Sequence, residues 1–383
     1  MKFDYGRVVL ISDRVGISPR RTEKFLKYLK DQGEGHSLDI QRALGLPTSV
    51  INPLGDYLSR VVQHDGDSYG LSGDGMTYVD ELTSFRSERD RHMAETIPKI
   101  AAEVEQLEAS MPKSKRRLDQ VRATSESVAK RVQFLYDRGY LEDRSIMLMG
   151  DNDATSVGLA LTGYPKRLTV FDIDGDLLKF LATLSENRQL GIECKRYDVR
   201  NVFPHDGMHK YDVVVTDPPY APDGFDMFIQ RCIQGISAEH GTLAISYGFS
   251  DRSRERALPI QEILTDRGLV IEEIVPLFNR YFAAQVIGCQ SGMYLCKTTP
   301  KTTDEDMARE GELYTYRHPH KKSRRDHKNS FSNNRNFRNQ DRRGFNDRDG
   351  EDFTDRKRTE LIDRDRIVLT DKARRTPSDK KWF

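Results

Sequence analysis

The stretch that decides the fold is Ser145-Ile146-Met147-Leu148-Met149-Gly150-Asp151-Asn152-Asp153, an apolar run that ends abruptly in a glycine and acidic residues. A short apolar run that stops at a turn residue is typical of a strand buried on both faces. The amphipathic pattern of Ser127–Tyr140 predicts a helix before this strand, and Thr155–Gly163 predicts another after it. A buried strand between two helices indicates an α/β unit in which the strands pair in parallel.

The same alternation of strands and helices continues downstream. Asp174 is placed to cap the helix that follows the second strand. The further predicted strands are Leu168–Phe171, Glu193–Asp198, Tyr211–Thr216, Thr242–Ser246 and an antiparallel closing pair, Val270–Leu277 with Gly292–Cys296. Parallel strands joined by right-handed helical crossovers produce a doubly wound sheet. The predicted fold class for residues 119–300 is therefore α/β, a Rossmann-type sheet whose closing pair resembles that of class I methyltransferases.

Upstream of this sheet, residues 1–84 are predicted to form a winged-helix-like domain. Its predicted elements are helices near Arg20–Leu29, Ser37–Leu44 and Thr48–Val61, then a hairpin containing His64–Asp67 and Ser72–Gly75 in place of a wing. The third helix has only Arg60 as a basic residue, and DNA-reading helices usually carry several. We therefore expect a structural or oligomerisation role, and a homo-oligomer, in preference to DNA binding. Residues 85–118 are predicted to be a helical linker.

Charge is distributed unevenly along the chain. Hydrophobic residues make up 37% and charged residues 32% of the sequence, which predicts that part of it does not pack into a core. Residues 301–383 carry 23 Lys and Arg against 17 Asp and Glu, whereas residues 1–300 are net acidic. We expect a largely disordered tail whose basic Arg317–Arg343 tract would suit a polyanion such as nucleic acid, and an acidic body that would suit a cationic substrate.

Two features predict a soluble, cytoplasmic protein. The first residues lack the apolar stretch of a signal peptide, and no run of the sequence is long and apolar enough for a membrane span. The four cysteines are far apart and form no CxxC pair, so we expect buried thiols in a reducing compartment and no disulfide or zinc site.

Acidic residues are found at the ends of the first four predicted strands. They are Asp151 and Asp153 after the first strand, Asp172 and Asp174 after the second, Asp198 after the third, and Asp217 of Asp217-Pro218-Pro219-Tyr220 after the fourth. Because ligands of open α/β sheets bind at the carboxyl ends of the strands, these carboxylates are predicted to share one site. A single such residue could instead be a helix cap or a turn residue.

The positions of these acids predict an adenosine-containing co-substrate. Asp172, with Asp174 as its rival, is placed to accept hydrogen bonds from two ribose hydroxyls, and Asp198 from an adenine amino group. The alternative for Asp172 is a simple strand-end cap. The loop beginning at Gly150 brings two carboxylates where nucleotide folds place phosphates, which counts against NAD or FAD. It also disfavours the carboxylate of S-adenosylmethionine, whereas decarboxylated S-adenosylmethionine would bring only an amine and a sulfonium.

The motif Asp217-Pro218-Pro219-Tyr220 indicates an amine nucleophile. Prolines restrict φ and remove N–H donors, so the turn would aim the Asp217 carboxylate at an incoming amine. Tyr220 would offer an aromatic face to a cation. Similar motifs occur in enzymes that methylate a planar nitrogen, and a purely structural Pro-Pro turn is the other interpretation.

Several of these motifs, taken in order, resemble the branched-chain polyamine synthases, also called N4-bis(aminopropyl)spermidine synthases. The matching segments, within residues 115–297, are Gly150–Val157, Thr169–Asp174 with Leu177–Phe180, Thr216–Tyr220 and, more loosely, Phe278–Tyr281. The resemblance implies transfer of aminopropyl groups from decarboxylated S-adenosylmethionine to the secondary amine of spermidine, with release of methylthioadenosine and without a metal. Asn152 stands where the family's Gly-Asp-Asp-Asp motif has its middle Asp.

Our hypothesis for the chemistry assigns a role to each acid. Asp151 accepts the proton of the secondary amine with help from Asp217, and Asp153 holds a terminal ammonium. Asn152, Pro218 and Tyr220 complete the polyamine site, and Gly150 belongs to the co-substrate site with Asp172, Asp174 and Asp198.

Two other functions remain open at this point. An S-adenosylmethionine-dependent amino-methyltransferase acting on nucleic acid or protein would account for Asp217–Tyr220 and the basic Arg317–Arg343 tract. A non-catalytic nucleic-acid-binding protein would use the N-terminal domain and the tail, but it leaves the aligned acids unexplained.

Overall fold

The computed structural model describes most of the chain before residue 305. The described residues are 3–250, 252, 254–304 and 313–314. The predictions for the tail, including the Arg317–Arg343 tract, lie outside them. Within the described part, no helix combines the length and the apolar character that a membrane span requires.

The N-terminal part of the chain consists of short helices around a small sheet. Its first elements are α1 (Tyr5–Val15), α2 (Pro19–Gln32), β1 (Glu34–His36), α3 (Ser37–Leu44), α4 (Thr48–Tyr57), β2 (Val62–Asp65) and β3 (Ser68–Leu71). The three strands pair antiparallel in the order β1-β3-β2. Helix α1 was not predicted from the sequence. Asp4 caps it through its side chain, and it buries Val8 and Ile11 in the core of the N-terminal part.

The second half of the predicted hairpin is wrong. Ser72–Gly75 was assigned to the wing, but β3 ends at Leu71 and a helix begins at once. The hydroxyl of Ser72 accepts a hydrogen bond from the backbone N–H of Gly75, at 2.9 Å, and so caps this helix. The helix, α5 (Gly73–Leu107), is 35 residues long and continues without a break into the predicted linker.

A seven-stranded sheet with helices on both faces follows. Its elements are α6 (Ser125–Arg138), β4 (Ser145–Met149), α7 (Thr155–Leu161), β5 (Arg167–Asp172), α8 (Gly175–Arg188), β6 (Ile192–Arg196), β7 (Val213–Thr216), α9 (Pro222–Gly235), β8 (Thr242–Tyr247), α10 (Leu258–Asp266), β9 (Val270–Arg280) and β10 (Gln290–Lys297). The strand order is β6-β5-β4-β7-β8-β10-β9. The first five strands in this order are parallel, and β10 is antiparallel to both of its neighbours.

The central strand β4 explains why the sheet is covered on both faces. Successive side chains of a strand point to opposite faces. Ile146 and Leu148 join the core beneath α5–α8, whereas Met147 and Met149 join the core beneath α9 and α10. An uninterrupted apolar run is what such a position requires, so the prediction of the parallel sheet and of its antiparallel closing pair is confirmed.

The topology also determines where a ligand can bind. From β4 the chain moves outward to β5 and β6, then returns to the other side of β4 as β7. The loops after β4 and β7 therefore leave the sheet in opposite directions and leave a crevice between them. Both acidic motifs of the sequence begin at this crevice.

Candidate active site

A cavity of about 940 Å³ lies at the carboxyl ends of the parallel strands. Its walls include the loops that follow β4, β5, β7 and β8 and the segment that follows β9. Of the predicted site residues, those that line it are Gly150, Asp151, Asn152, Asp153, Asp172, Asp217, Pro218 and Tyr220. The structure therefore brings eight predicted residues together, and two others, Asp174 and Asp198, are not among the lining residues.

The loop after β4 has an unusual backbone. Gly150 has a φ of +79° and Ala154 a φ of +58°, both in the left-handed region. The left-handed conformation raises the conformational free energy of a residue with a side chain, here Ala154, by roughly 1–2 kcal/mol. This conformation turns the chain from β4 into α7 within five residues. Asp151 and Asp153, which lie within this turn, both line the cavity.

Asp151 is buried and hydrogen-bonded at the start of α7. Its Oδ1 accepts from the backbone N–H of Ser156 at 3.1 Å, and its Oδ2 accepts from the hydroxyl of the same residue. Burial, together with the neighbouring Asp153 carboxylate, raises the pKa of Asp151 well above its usual range. Both oxygens of this carboxyl group are thus hydrogen-bonded to one residue of α7.

Arg131 of α6 connects the two acidic motifs. Its Nη1 donates to Oδ2 of Asp153 at 2.6 Å, and its Nη2 donates to Oδ2 of Asp217 at 2.8 Å. Its Nε donates to Oδ1 of Asn279 at 2.8 Å. The side chain is 3% exposed, so its charge is balanced inside the protein by these two acids.

Arg131 is a site residue that was not predicted from the sequence. The signal was present, because Arg131 adjoins the apolar stripe of Val128, Val132 and Leu135 that α6 buries. A cation on the buried side of an amphipathic helix needs an acidic partner elsewhere in the fold.

Asp217 has one carboxylate oxygen without a donor among the described residues. Its Oδ2 accepts from Arg131 and from the hydroxyl of Tyr281, the latter at 2.8 Å. Among the described residues, none has a hydrogen bond to Oδ1. Burial raises the pKa of Asp217 to about 6, although Arg131 and Tyr281 oppose the shift. The group is therefore ionised at neutral pH but retains appreciable basicity.

The acid at the end of β5 lines the cavity. Asp172 accepts from the backbone N–H of Asp174 at 2.7 Å and of Asp151 at 3.2 Å, one bond to each oxygen. Burial raises its pKa. Each carboxylate oxygen has two lone pairs, so both can still accept from a ligand hydroxyl.

Asp174 and Asp198 have partners elsewhere. Asp174 caps α8, as predicted, and accepts from Lys115 and Gln120, which lower its pKa against the effect of burial. Asp198 pairs with Arg200, whose hydrogen bonds lower the pKa of Asp198. Their roles as co-substrate ligands remain predictions.

Asn152 holds a covering segment, which we define as residues 112–122. Its side-chain amide donates to Ser114 at 3.2 Å, and its backbone carbonyl accepts from Arg122 at 3.1 Å. Lys115 of this segment bonds both Asp174 and Asp176. The covering segment contributes residues 116 and 118–121 to the cavity wall.

Aromatic side chains form another wall of the cavity. The rings of Tyr220 and Tyr247 lie 5.0 Å apart with an interplanar angle of 31°. Tyr197, Phe228 and Tyr281 also line the cavity. Aromatic faces next to carboxylates favour a ligand that carries both a ring and positive charge.

Comparison with known proteins shows similarity over the region that contains this cavity. Residues 99–322 match the family model described as the branched-chain polyamine synthase A C-terminal domain. An uncharacterized protein of Methanocaldococcus jannaschii is 33% identical over 198 residues, which cover 52% of this chain and 49% of that protein.

Relatives that are named for an activity match over a similar length. The N(4)-bis(aminopropyl)spermidine synthase of Thermococcus kodakarensis is 35% identical over 178 residues, covering 44% of this chain and 49% of that enzyme. The enzyme of the same name from Thermus thermophilus is 30% identical over 170 residues, covering 44% of this chain and 50% of that enzyme. The chain thus spans about half the length of the curated relatives it matches.

A solved structure supports the fold. The branched-chain polyamine synthase of Thermus thermophilus, in complex with N4-aminopropylspermidine and 5'-methylthioadenosine, aligns with a TM-score of 0.52 and 19% sequence identity. The alignment covers 81% of this chain and 98% of that protein. Because the family model extends over more than half of the sequence, this chain belongs to the branched-chain polyamine synthase A family through its C-terminal domain.

Proposed function

We propose that this protein is an aminopropyltransferase that uses decarboxylated S-adenosylmethionine to convert spermidine, or a similar polyamine, into branched products. The observation that carries the proposal is the cavity at the β4–β7 crevice. Four buried or half-buried carboxyl groups and several aromatic rings line it, in a chain of the branched-chain polyamine synthase A family. Such a surface suits a polycation and the ring of an adenosine.

The names of the relatives support the same reaction. Three of them are N(4)-bis(aminopropyl)spermidine synthases, and the Thermus thermophilus structure contains N4-aminopropylspermidine and 5'-methylthioadenosine. These molecules correspond to one aminopropyl transfer: a spermidine that has gained the group and a nucleoside that has lost it. The same pair is proposed here as product and by-product.

The transfer balances without a redox partner or a metal. A secondary ammonium of the acceptor gives one proton to a carboxylate. The freed lone pair on nitrogen then attacks the aminopropyl methylene carbon that is bonded to the sulfonium. The carbon–sulfur bond breaks and its electrons remain on sulfur, so neutral methylthioadenosine leaves and a tertiary ammonium forms. Positioning of the two reactants contributes several kcal/mol, about 7–11 in favourable cases.

The hydrogen bonds of the site favour Asp217 as the leading proton acceptor. It is ionised near pH 7 and has one oxygen that no described residue bonds, whereas both oxygens of Asp151 accept from Ser156. Asp151 would then orient an amine by accepting its N–H through a remaining lone pair. This changes the emphasis of the sequence-based hypothesis, in which Asp151 was the proton acceptor and Asp217 assisted.

The remaining lining residues suit the two substrates. Gly150 and Asp172 lie where the adenosine moiety of the co-substrate would bind, with Asp172 accepting from the ribose hydroxyls. Pro218 and Tyr220 face the acceptor amine, and the Tyr220 ring offers its face to the cation.

The N-terminal part and the tail have supporting roles in this proposal. Residues 1–84 are proposed to be a winged-helix-like domain that supports a homo-oligomer of a soluble, cytoplasmic enzyme. The basic Arg317–Arg343 tract is proposed to contact a polyanion such as nucleic acid. A dependence of that binding on salt would identify it as electrostatic.

One experiment tests the function directly. The full-length protein is incubated with spermidine and either decarboxylated S-adenosylmethionine or S-adenosylmethionine, and the products are weighed by mass spectrometry. Stepwise gain of aminopropyl groups with release of methylthioadenosine is the expected result. Methyl transfer to RNA, DNA or protein, with no aminopropyl product, would replace the proposal by the amino-methyltransferase.

One observation favours the amino-methyltransferase as a second candidate function. Arg131 neutralises Asp153, so the loop after β4 repels a co-substrate carboxylate less than its two acids alone imply. Asp151 and Asp172 still disfavour such a carboxylate, because both lie at the cavity wall beside Gly150.

A further inference from the structure

The Arg131 guanidinium bonds two acids of the site, Asp153 and Asp217, which differ in how many of their oxygens have partners. Asp153 has both of its oxygens engaged within the protein: Oδ2 accepts from Arg131 at 2.6 Å, and Oδ1 accepts from the hydroxyl of Thr155 at 2.7 Å. In Asp217, Oδ2 is engaged in the same way by Arg131 and Tyr281, whereas no residue in the described part of the chain donates to Oδ1. The two acids are therefore not equivalent toward a ligand, although both line the cavity.

The Arg131 guanidinium is itself held rigidly. Its Nε donates to Asn279, whose amide nitrogen in turn donates to Ser246 at 3.1 Å and Ser291 at 3.0 Å. Asn279 is fully buried. The supporting residues lie on β8, β9 and β10, so the antiparallel end of the sheet determines the orientation of a charge in the cavity.

We propose that Arg131 is a positioning residue for the transfer: it neutralises Asp153 and holds Oδ2 of Asp217, so that Oδ1 of Asp217 receives the proton of the attacking amine. This inference rests on the proposed aminopropyl transfer. It also changes the role predicted for Asp153, since an acid already paired with a buried arginine has little charge left for a terminal ammonium of the acceptor.

The charged and titratable groups that face Asp217 act in opposite directions. Arg131 from α6 and the Tyr281 hydroxyl after β9 favour the ionised carboxylate, whereas Asp153 from the β4–α7 loop disfavours it. Tyr220, three residues along the chain, is a further titratable neighbour. Removal of Arg131 would leave Asp153 and Asp217 facing each other without compensation, and Asp217 would bind a proton more tightly.

The test is the pH dependence of kcat for Arg131→Gln in the full-length enzyme. The acidic limb is expected to move up by at least about one pH unit, so that kcat falls roughly tenfold at pH 5 but only about twofold at pH 7, and recovers at higher pH. The double variant Arg131→Gln with Asp153→Asn removes the uncompensated acid, and its limb is expected to return toward that of the wild type. Equal loss of kcat at every pH would show a merely structural role and overturn the inference.

Two further variants control the experiment. Arg138→Gln removes another arginine of α6, one that pairs with Glu273 outside the cavity, and it is expected to leave the profile unchanged. Tyr281→Phe removes a donor to the same oxygen of Asp217 without burying an unpaired charge, so it tests the idea even if Arg131→Gln does not fold. An unshifted limb in Tyr281→Phe overturns the inference in that case.

The binding of methylthioadenosine, measured by calorimetry, verifies that the adenosine site of each variant is intact. A wild-type protein that transfers no aminopropyl group refutes the proposed function and this assignment with it. A wild-type protein that transfers the group while the arginine and tyrosine variants keep its pH profile refutes the assignment of Arg131 alone.

Discussion

Replacing Asp217 by Asn is expected to stabilise the folded protein at high pH while it removes activity. Burial raises the pKa of Asp217 from 3.8 to about 6, so folding favours its protonated form. The folded state pays no penalty for this carboxyl below pH 3.8, where it is protonated in both states. The penalty grows as the pH rises through the folded pKa and is complete above it.

The magnitude follows from the shift. One pKa unit corresponds to 1.36 kcal/mol, so a shift of about two units costs the wild type about 3 kcal/mol at pH 8. At pH 5 the same linkage gives about 1.6 kcal/mol, because most of the unfolded chains but few of the folded ones are ionised there. Asn mimics the neutral acid at every pH. The stability advantage of Asp217→Asn should therefore grow by about 1.4 kcal/mol between pH 5 and pH 8.

The assay is urea denaturation of both proteins at a series of pH values. Unfolding is followed by far-ultraviolet circular dichroism and checked for reversibility. Taking the difference between the two proteins cancels all other titrating groups. Asp65→Asn, at an exposed carboxylate of β2, is the matched control. A stability difference between Asp217→Asn and the wild type that is constant from pH 5 to pH 8 would refute the reasoning, because it would mean that Asp217 titrates alike in both states.

Three other changes test separate parts of the site. Asp151→Asn is expected to lower kcat less than Asp217→Asn, for which loss of a general base predicts ~10²–10⁴-fold, because both oxygens of Asp151 are already bonded to Ser156. Steady-state kinetics at pH 7.5 compare the two variants, and a larger loss for Asp151→Asn would restore that residue as the base. Lys115→Ala removes the bonds of the covering segment to Asp174 and should raise KM for decarboxylated S-adenosylmethionine several-fold with little change in kcat, whereas an equal fall in kcat would contradict a binding role. Ala154→Gly relieves a φ of +58° and should raise the urea midpoint, equivalent to about 0.5–1 kcal/mol after the entropy of glycine is deducted; a lower midpoint would show that this loop is unstrained.

Much of the catalytic fold could be predicted from local patterns. The apolar run of β4 and the turn residues after it identify a strand buried on both faces, and the helices between strands imply parallel pairing. The errors came where a local signal had two solutions. Ser72–Gly75 has the composition of a turn, yet the same serine is a good helix N-cap, and the packing of α5 against α6 favours the helix.

The sequence by itself determined that Asp151, Asp172 and Asp217 would meet, because the carboxyl ends of parallel strands lie at one edge of a sheet whatever the details of packing. Only the tertiary structure decided which partners hold each of these acids and which of their oxygens remain open to a ligand. That depends on burial and on partners distant in the chain: Arg131 lies 86 residues from Asp217, yet it donates to the latter's carboxylate at 2.8 Å. Electrostatic energy follows separation in space and exclusion of water, and neither can be read from spacing along the sequence.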